Sequence, residues 1–334
     1  MNKVPKSLHL ENFSRYLVEF EHQKYEEVEV PGQYLLTKDN NDDFVKIARF
    51  DPQIEIVRKH GTCYRRITIH GHDGSKYPFI VQNPAARHAR REERIMQLFR
   101  ILNTVLDRRK ESRKRSLGFH MPLVVPLSTH VRIIQDDVSY VSLEDVYERH
   151  CESIGIHPDD VVLYFRDEMT NGLEKYNIQW KRGNPELLNL RQNLFERISS
   201  SWVPETILSS YMKASAPSYV DLWTLRKQFT LSYATMTFMT YVMGIGHRFP
   251  HKTLISRQTG SVLCMDLLPS LNQSGQFTLT EAVPFRLTPN IQNFITPVGM
   301  EGVFTSSIMA VARCLTEPEV RYMMMFIAIL PKIK

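Results

Sequence analysis

The sequence lacks several features that would assign a protein class directly. Its four cysteines lie far apart and form no C-x-x-C pair. This usage is typical of reduced thiols inside a cell, and it argues against both a disulfide framework and a cysteine-ligated zinc site. No apolar run reaches the roughly 18 residues of a membrane-spanning helix, and no signal-peptide pattern is present. We therefore expect neither secretion nor a membrane partner.

Common nucleotide-binding and hydrolase motifs are absent as well. The chain has no Walker A, Rossmann glycine or G-x-S-x-G pattern, so the sequence gives no support to the P-loop, dinucleotide-binding and serine-hydrolase classes. Its paired histidines make poor metal sites: His247 and His251 flank Pro250 without a nearby Glu or Cys, and His70 and His72 lie in a predicted hairpin. The sequence thus predicts no metal ion and no cofactor.

What remains is the composition of an ordinary globular protein. With 43% apolar and 23% charged residues, the chain does not resemble a disordered segment. Its 334 residues can bury a large core and divide into two lobes. The net charge of +6 comes largely from two Arg/Lys-rich stretches, and such a balance permits nucleic-acid contact without arguing for it.

Strand patterns dominate the first part of the chain. Short alternating segments predict an antiparallel sheet, and the dipeptide Asp73-Gly74 predicts a hairpin turn between two of its strands. The predicted strands are Glu27–Gly32 (a strand and a turn), Phe44–Phe50, Ile54–Val57, Arg66–Ile69, Tyr77–Val81, Leu123–Leu127 and Val131–Ile134.

Helical periodicity is clearest in two segments. Apolar residues fall on one face of Arg91–Leu106, and Trp223–Met243 is rich in aromatic residues and methionine, which we interpret as core. Weaker patterns predict a short amphipathic helix within residues 1–25 and a last helix at Gly302–Leu315. We expect linkers at Asn171-Gly172 and Arg182–Pro185.

These elements predict a bilobal α+β fold. The N-lobe would comprise residues 1–136, with a short N-terminal helix, and the C-lobe residues 137–334. The apolar stretch Arg321–Lys334 ends without a helix-capping pattern, from which we expect a chain that is truncated at its C-terminus.

Four segments, in order, resemble the phosphatidylinositol 3-kinase-related kinases. Gly71–Phe99 (GHDGSKYPFIVQNPAARHARREERIMQLF) resembles their N-lobe signature and GIGHRFPHK (244–252) their catalytic loop. CMDLL (264–268) stands where their metal-binding loop lies, and VPFRLTPN (283–290) matches the end of their activation loop. The residues of these segments are most similar to those of the transformation/transcription domain-associated subfamily. The resemblance implies a protein-kinase-like fold of the PI3K/PI4K type, with an antiparallel N-lobe sheet plus helix and a mainly helical C-lobe.

The same resemblance marks six site positions, most of which depart from an active kinase. They are Gln82 for the phosphate-binding lysine, Glu92 for its acidic partner, His247 for the base, Phe249 and Lys252 for the histidine and metal-binding asparagine, and Asp266 for the retained metal-binding aspartate. A neutral Gln82 supplies no charge to phosphates, and Lys252 puts a cation where Mg²⁺ needs oxygen ligands. Because several such groups are lost together, we expect no phosphoryl transfer and predict no catalytic residue.

The resemblance implies a role for such an inactive domain. We expect a pseudokinase that acts as a scaffold in histone acetyltransferase coactivator complexes, in the nucleus, in transcription regulation, chromatin and DNA repair. Its partners would be protein subunits of these complexes and transcriptional activators. The alternative is an atypical Ser/Thr protein kinase of the same family that uses His247 and Asp266 with unusual metal binding.

A basic run follows the first strong helix. It contains Arg108, Arg109, Lys110, Arg113, Lys114 and Arg115. We interpret it as a solvated helix end and loop, since cations are favourable near a helix C-terminus. The alternative is a nuclear-targeting or nucleic-acid-binding patch, which would give binding a steep salt dependence.

Overall fold

The computed structural model describes residues 7–22, 28–33, 44–59, 62–83, 86–177, 180, 183–246, 248–265, 267, 283, 285–318 and 320. Within these ranges a large antiparallel sheet is followed by a mostly helical half, which we call the sheet half and the helical half. The predicted α+β architecture is therefore confirmed, whereas the lobe boundary at 136/137 stays a prediction.

The large sheet has seven strands in the order β1-β3-β4-β5-β7-β6, with β2 paired to β4. Their bounds are β1 Ser7–His9, β2 Ile47–Phe50, β3 Gln53–Lys59, β4 Thr62–Gly71, β5 Lys76–Gln82, β6 Val124–Pro126 and β7 Arg132–Gln135. The β4–β5 turn is the one that the sequence predicts: Gly74 has φ of +80°, and Asp73 accepts a hydrogen bond from the Ser75 amide at 3.0 Å.

Two helices follow β5, and the first of them lies between the halves. They are α2, Ala86–Arg108, and α3, Lys110–Lys114. The predicted apolar face of α2 is buried, but mainly in a core that it shares with helices of the second half, through residues such as Ile95, Phe99 and Leu102. On another side, Met96 packs against Val124 and Ile134 of the sheet. The helix α2 thus belongs to both halves of the molecule.

The helical half contains a small antiparallel sheet in the order β10-β9-β8. Its elements are β8 Tyr140–Ser142, α4 Leu143–Ile154, α5 Asp160–Lys175, α6 Pro185–Ser201, α7 Ile207–Ser215, α8 Tyr219–Val242, β9 Thr253–Ser256, β10 Val262–Cys264, α9 Pro289–Ile295, a π-helix Gly299–Phe304 and α10 Thr305–Leu315. The helix α4 begins with a capping box, in which Ser142 and Asp145 each accept the other's backbone amide at 3.0 Å.

The helix α8 is the central element of this half, and its hydroxyl groups allow its burial. Thr235 and Thr237 donate to carbonyls four residues earlier, at 2.8 and 2.6 Å, so their buried oxygens are satisfied within the helix. Ser232 additionally accepts the Val262 amide at 3.1 Å. This bond attaches the β9–β10 hairpin to α8, and the hairpin in turn positions the loops of the candidate site.

Two predictions near the N-terminus are wrong. Residues 7–22 do not form one amphipathic helix but β1, the four-residue helix α1 Arg15–Val18 and two 3₁₀ turns. Pairing of β1 with β3 satisfies that backbone, and Phe20 packs edge-on against Phe50 at 5.3 Å. In the predicted strand Glu27–Gly32, the described residues form a single bridge, between Glu29 and Lys46.

Other predictions need correction or lie outside the described residues. Asn171-Gly172 is not a linker: it lies inside α5, where Gly172 lets Leu190 of α6 approach so closely that a Cβ would lie 2.8 Å from its side chain. Much of the basic run is helical, as α3, rather than a loop. The stretch 321–334, His247 and Asp266 lie outside the described residues.

Among the described helices, no single one is long and apolar enough to cross a bilayer. One sharply bent pair, Pro289–Ile295 with Gly299–Leu315, reaches that length and apolar composition only when its members are joined.

Gly260 in the β9–β10 turn gives a stability prediction. It has φ of +75°, and a Cβ there would clash with the backbone carbonyl of Leu225 in α8. Gly260→Ala should lower the free energy of unfolding by about 2–5 kcal/mol, since strain and overpacking add. The matched control is Gly74→Ala, with φ of +80° and nothing within 4 Å of the new Cβ, which should cost about 1 kcal/mol. Equal losses in urea denaturation would refute the close approach to α8.

Candidate functional site

A narrow cleft lies where the two halves meet. Its cavity measures about 180 Å³ and is lined mainly by apolar side chains, among them Ile80, Ile134, Tyr140, Leu254, Leu263 and Met265. Small-molecule sites typically measure about 300–1,000 Å³. The cavity is therefore small for a nucleotide, although it lies between the strands on which the resemblance places a kinase site.

Two of the predicted site residues, Gln82 and Glu92, are brought together by a third residue, Arg132. The Arg132 Nε and Nη2 donate to Gln82 Oε1 at 3.1 and 2.9 Å, and Nη2 also donates to Glu92 Oε2 at 2.5 Å. Arg132 is 4% exposed and Glu92 8%. Among the described residues Nη1 of Arg132 has no hydrogen-bond partner. A buried guanidinium thus neutralises the acidic residue that a kinase lysine would pair with.

A second arginine, which is half-buried, secures the segment that connects the halves. Arg66 of β4 contacts the Asp136 carboxylate through Nη2 at 2.6 Å and also binds Glu55 at 2.6 Å. Burial by itself would lower the pKa of Arg66, but the carboxylates of Asp136 and Glu55 outweigh it and raise that pKa. The Asp136 amide donates to the Pro78 carbonyl at 2.8 Å, so this connection is fixed to the sheet twice.

The substituted residues of the catalytic-loop segment interact with one another. Phe249 stacks on His251 with ring centroids 5.4 Å apart, and the Lys252 ammonium lies 5.8 Å from the Phe249 ring centroid. His251 also lies 3.4 Å from the Glu144 carboxylate of α4. These contacts give Phe249 and Lys252 structural partners, and they bring neither residue the chemistry of the histidine and asparagine that they replace.

Basic side chains surround the position that the resemblance assigns to the metal. Arg248, Lys252 and Arg286 line one cavity of about 30 Å³ together with Cys264. None of its described lining residues is an Asp or Glu, and the described part of the chain contains no group of three or more His, Cys, Asp or Glu able to hold a metal. Mg²⁺ needs several oxygen ligands, and the described lining residues supply no carboxylate for it.

Arg132 and Arg66 are site residues that reasoning from the sequence missed. Arg132 is an arginine within a strand whose neighbours are apolar, at Val131-Arg132-Ile133-Ile134, whereas Arg66 follows Arg65 in Tyr64-Arg65-Arg66-Ile67. A cation in a buried strand needs a paired anion, and that rule would have indicated a partner for Arg132. It would not have named Glu92, which lies 40 residues from Arg132 along the chain.

The basic run is partly neutralised in the structure. Arg109 pairs with Glu317, and Glu111 lies 3.6 Å from Arg115 and 3.5 Å from Arg313. Ser112, in the middle of the run, is buried and donates to the Leu106 carbonyl. These bonds attach α3 to the helical half and reduce the charge that the run presents, while nucleic-acid contact stays an untested alternative.

Cys264 in this site gives a prediction about reactivity. Burial raises the pKa of its thiol to about 12, against smaller lowering effects of Thr253 and Arg248. At pH 8 about one molecule in ten thousand then carries the reactive thiolate at this position. Iodoacetamide should label the exposed Cys63 at least about 100 times faster than Cys264 in the folded chain, as measured by peptide mass spectrometry. Similar rates in folded protein would contradict the burial, and equal labelling in urea is the control.

The comparisons with known structures concern the fold. The open conformation of CtTel1 superimposes with a TM-score of 0.69 at 21% identity, covering 99% of this chain and 12% of that one. The FAT and kinase domain of CtTel1 gives the same TM-score of 0.69 at 22% identity, with 99% and 22% covered. The chain therefore has the kinase-like fold that the sequence predicts.

Sequence comparisons identify the family. A model of phosphatidylinositol 3- and 4-kinase matches residues 77–332. The SAGA complex/NuA4 acetyltransferase complex subunit Tra1 of Schizosaccharomyces pombe is 42% identical over 329 residues, which is 96% of this chain and 9% of that protein. The human transformation/transcription domain-associated protein is 36% identical, over 95% and 8% of the respective chains. The chain thus spans less than a tenth of these relatives, and it belongs to the phosphatidylinositol 3- and 4-kinase family, in the branch of Tra1 and the transformation/transcription domain-associated proteins.

Proposed function

We propose that this chain is a catalytically inactive kinase-like domain that serves as a scaffold in nuclear histone acetyltransferase coactivator complexes. Its contribution would be a rigid folded body with surfaces for other protein subunits and for transcriptional activators. The six positions Gln82, Glu92, His247, Phe249, Lys252 and Asp266 would then be the remains of a kinase site and not a working one.

One observation carries the inactive part of this proposal. At the position of the phosphate-binding lysine stands Gln82, whose side-chain oxygen accepts two hydrogen bonds from Arg132. Phosphoryl transfer depends mainly on positioning and on neutralising phosphate charge. The available cation, Arg132, is buried against Glu92 and is absent from the residues that line the cleft cavity. Gln82 and Arg132 together therefore lack the means to hold the phosphates of a nucleotide.

The basic cavity at the metal position supports the same conclusion. A metal-nucleotide needs carboxylate or amide oxygens there, and the described lining supplies Arg248, Lys252 and Arg286. These three side chains are positively charged, so within a small, partly enclosed cavity they would repel the divalent Mg²⁺ ion. His247 and Asp266 lie outside the described residues, so the structural support for the proposal comes from the described side chains alone.

The scaffold part of the proposal is supported by the relatives. The two yeast proteins are named as subunits of the SAGA and NuA4 acetyltransferase complexes, at 42% and 37% identity to 96% of this chain. These relatives are much longer, since the chain covers 9% of each. Assembly with acetyltransferase subunits and a nuclear location are therefore proposed for this chain from its family branch.

Nucleotide binding tests the inactive site directly. A ligand that binds the folded state at about 100 times its Kd adds about 2.7 kcal/mol of stability, which raises Tm by several degrees. We expect no change in Tm for the 334-residue chain with millimolar ATP, with or without Mg²⁺ or Mn²⁺. The same titration with an active protein kinase is the positive control. A metal-dependent rise in Tm, followed by phosphate transfer to a protein substrate, would favour the atypical kinase instead.

Co-precipitation tests the scaffold role. Histone acetyltransferase activity should be recovered with the tagged protein from nuclear extract, and Gly260→Ala should reduce that recovery by destabilising the hairpin on α8. The matched variant Gly74→Ala changes an open turn of the sheet half and should leave recovery near the unmodified level. Absence of acetyltransferase activity with the unmodified protein, or equal loss with both variants, would contradict the proposal.

A further inference from the structure

The cation that serves Glu92 comes from a strand next to the expected one. Gln82 of β5 and Arg132 of β7 are directly opposite each other in the antiparallel register. Residues in such a pair project from the same face of the sheet, with Cβ atoms about 5 Å apart. The guanidinium of Arg132 therefore approaches Glu92 from one strand away from Gln82, and it reaches the carboxylate at 2.5 Å.

We propose that Arg132 is a relocated counterion, a positioning residue that fixes α2 against the sheet without any nucleotide. The proposal deepens the proposed function, on which it rests for the significance of Gln82. In an active kinase a lysine links the helix glutamate to the bound phosphates. Here one buried arginine holds both Glu92 and Gln82, so the position of α2 becomes a permanent property of the fold.

The surroundings explain why a fixed α2 matters to the whole molecule. One turn after Glu92, Met96 is buried against Val124 and Ile134, so successive turns of α2 contact the sheet by charge and by apolar packing. The opposite contacts of α2, through residues such as Phe99, lie in the core shared with α8 and α10. Movement of α2 would therefore disturb both halves of the molecule, which a rigid scaffold must avoid.

The geometry also explains why an arginine suits this position. A guanidinium can donate along two directions at once, and Arg132 uses Nε and Nη2 for Gln82 and Nη2 for Glu92. A lysine ammonium has no such planar fork. Restoring a lysine at 82 by Gln82→Lys alone would place two cations opposite each other beside one carboxylate, which is unfavourable in a cross-strand pair.

Hydrogen exchange of the α2 amides tests the relocation in the 334-residue chain. Arg132→Gln and Glu92→Gln each break the buried ion pair between Arg132 and Glu92, so exchange in peptides from 92–106 should rise on the order of 100-fold. The exchanged variant, Gln82→Lys with Arg132→Gln, moves the cation to the opposite strand. It should return exchange in α2 to within about tenfold of the unmodified chain, because the charge beside Glu92 is restored.

The control is another ion-paired arginine of the same sheet, which is half-buried. Arg66 binds Asp136 and Glu55 and does not contact α2 through any described bond. Arg66→Gln should destabilise the chain without raising exchange selectively in α2. The proposal would be overturned if Arg66→Gln raised exchange in α2 as selectively as Arg132→Gln. It would also be overturned if α2 exchanged as fast in the Gln82→Lys, Arg132→Gln double variant as in Arg132→Gln alone.

Two further measurements keep the outcomes separate. If Arg132→Gln does not fold, Arg132→Lys keeps the charge and loses the fork, so exchange in α2 should rise about tenfold, and no change would overturn the proposal. Nucleotide binding by the unmodified chain tests the proposed function independently. A chain that binds Mg-ATP yet shows the expected α2 exchange would refute inactivity and leave the relocated counterion standing.

Discussion

The contact between Arg132, Glu92 and Gln82 is the interaction on which the arrangement of the two halves depends. It is buried, with Arg132 4% and Glu92 8% exposed, so water cannot take the place of the ion pair between them. Through Glu92 it sets the position of α2, whose remaining surface is divided between the sheet and the core around α8. A single helix thereby couples the packing of both halves.

The electrostatics of the cleft are unlike those of a metal-dependent kinase. A phosphate-binding site presents cations to the phosphates and carboxylates to the metal. In this chain the cation nearest Gln82 is paired internally, and the described residues around the metal position contribute Arg248, Lys252 and Arg286. This distribution of positive charge supports the proposed inactivity, and the Ser232–Val262 bond keeps the β9–β10 hairpin attached to α8.

The sequence was most informative where local patterns and tertiary packing agree. The Asp73-Gly74 turn and the long helix α8 follow from residue chemistry that acts within a few positions. Prediction from the sequence failed where a residue distant along the chain decides the local conformation. The N-terminal segment pairs as β1 with β3 instead of forming a helix, and Gly172 serves close packing with Leu190 of α6 instead of breaking the chain.

The sequence by itself determined the α+β class and the family resemblance, because these depend on residue identity at ordered positions. Only the tertiary structure decided which cation lies beside Gln82 and Glu92: Arg132 lies 50 residues from Gln82 and 40 from Glu92, and the sheet register brings all three together. Likewise, Arg286 is far from Arg248 and Lys252 in the sequence, and the three line one small cavity only after α8, the β9–β10 hairpin and the segment of Arg286 pack together. Long-range contacts carry no local signal, since any residue of suitable charge satisfies them once the backbone brings it within reach.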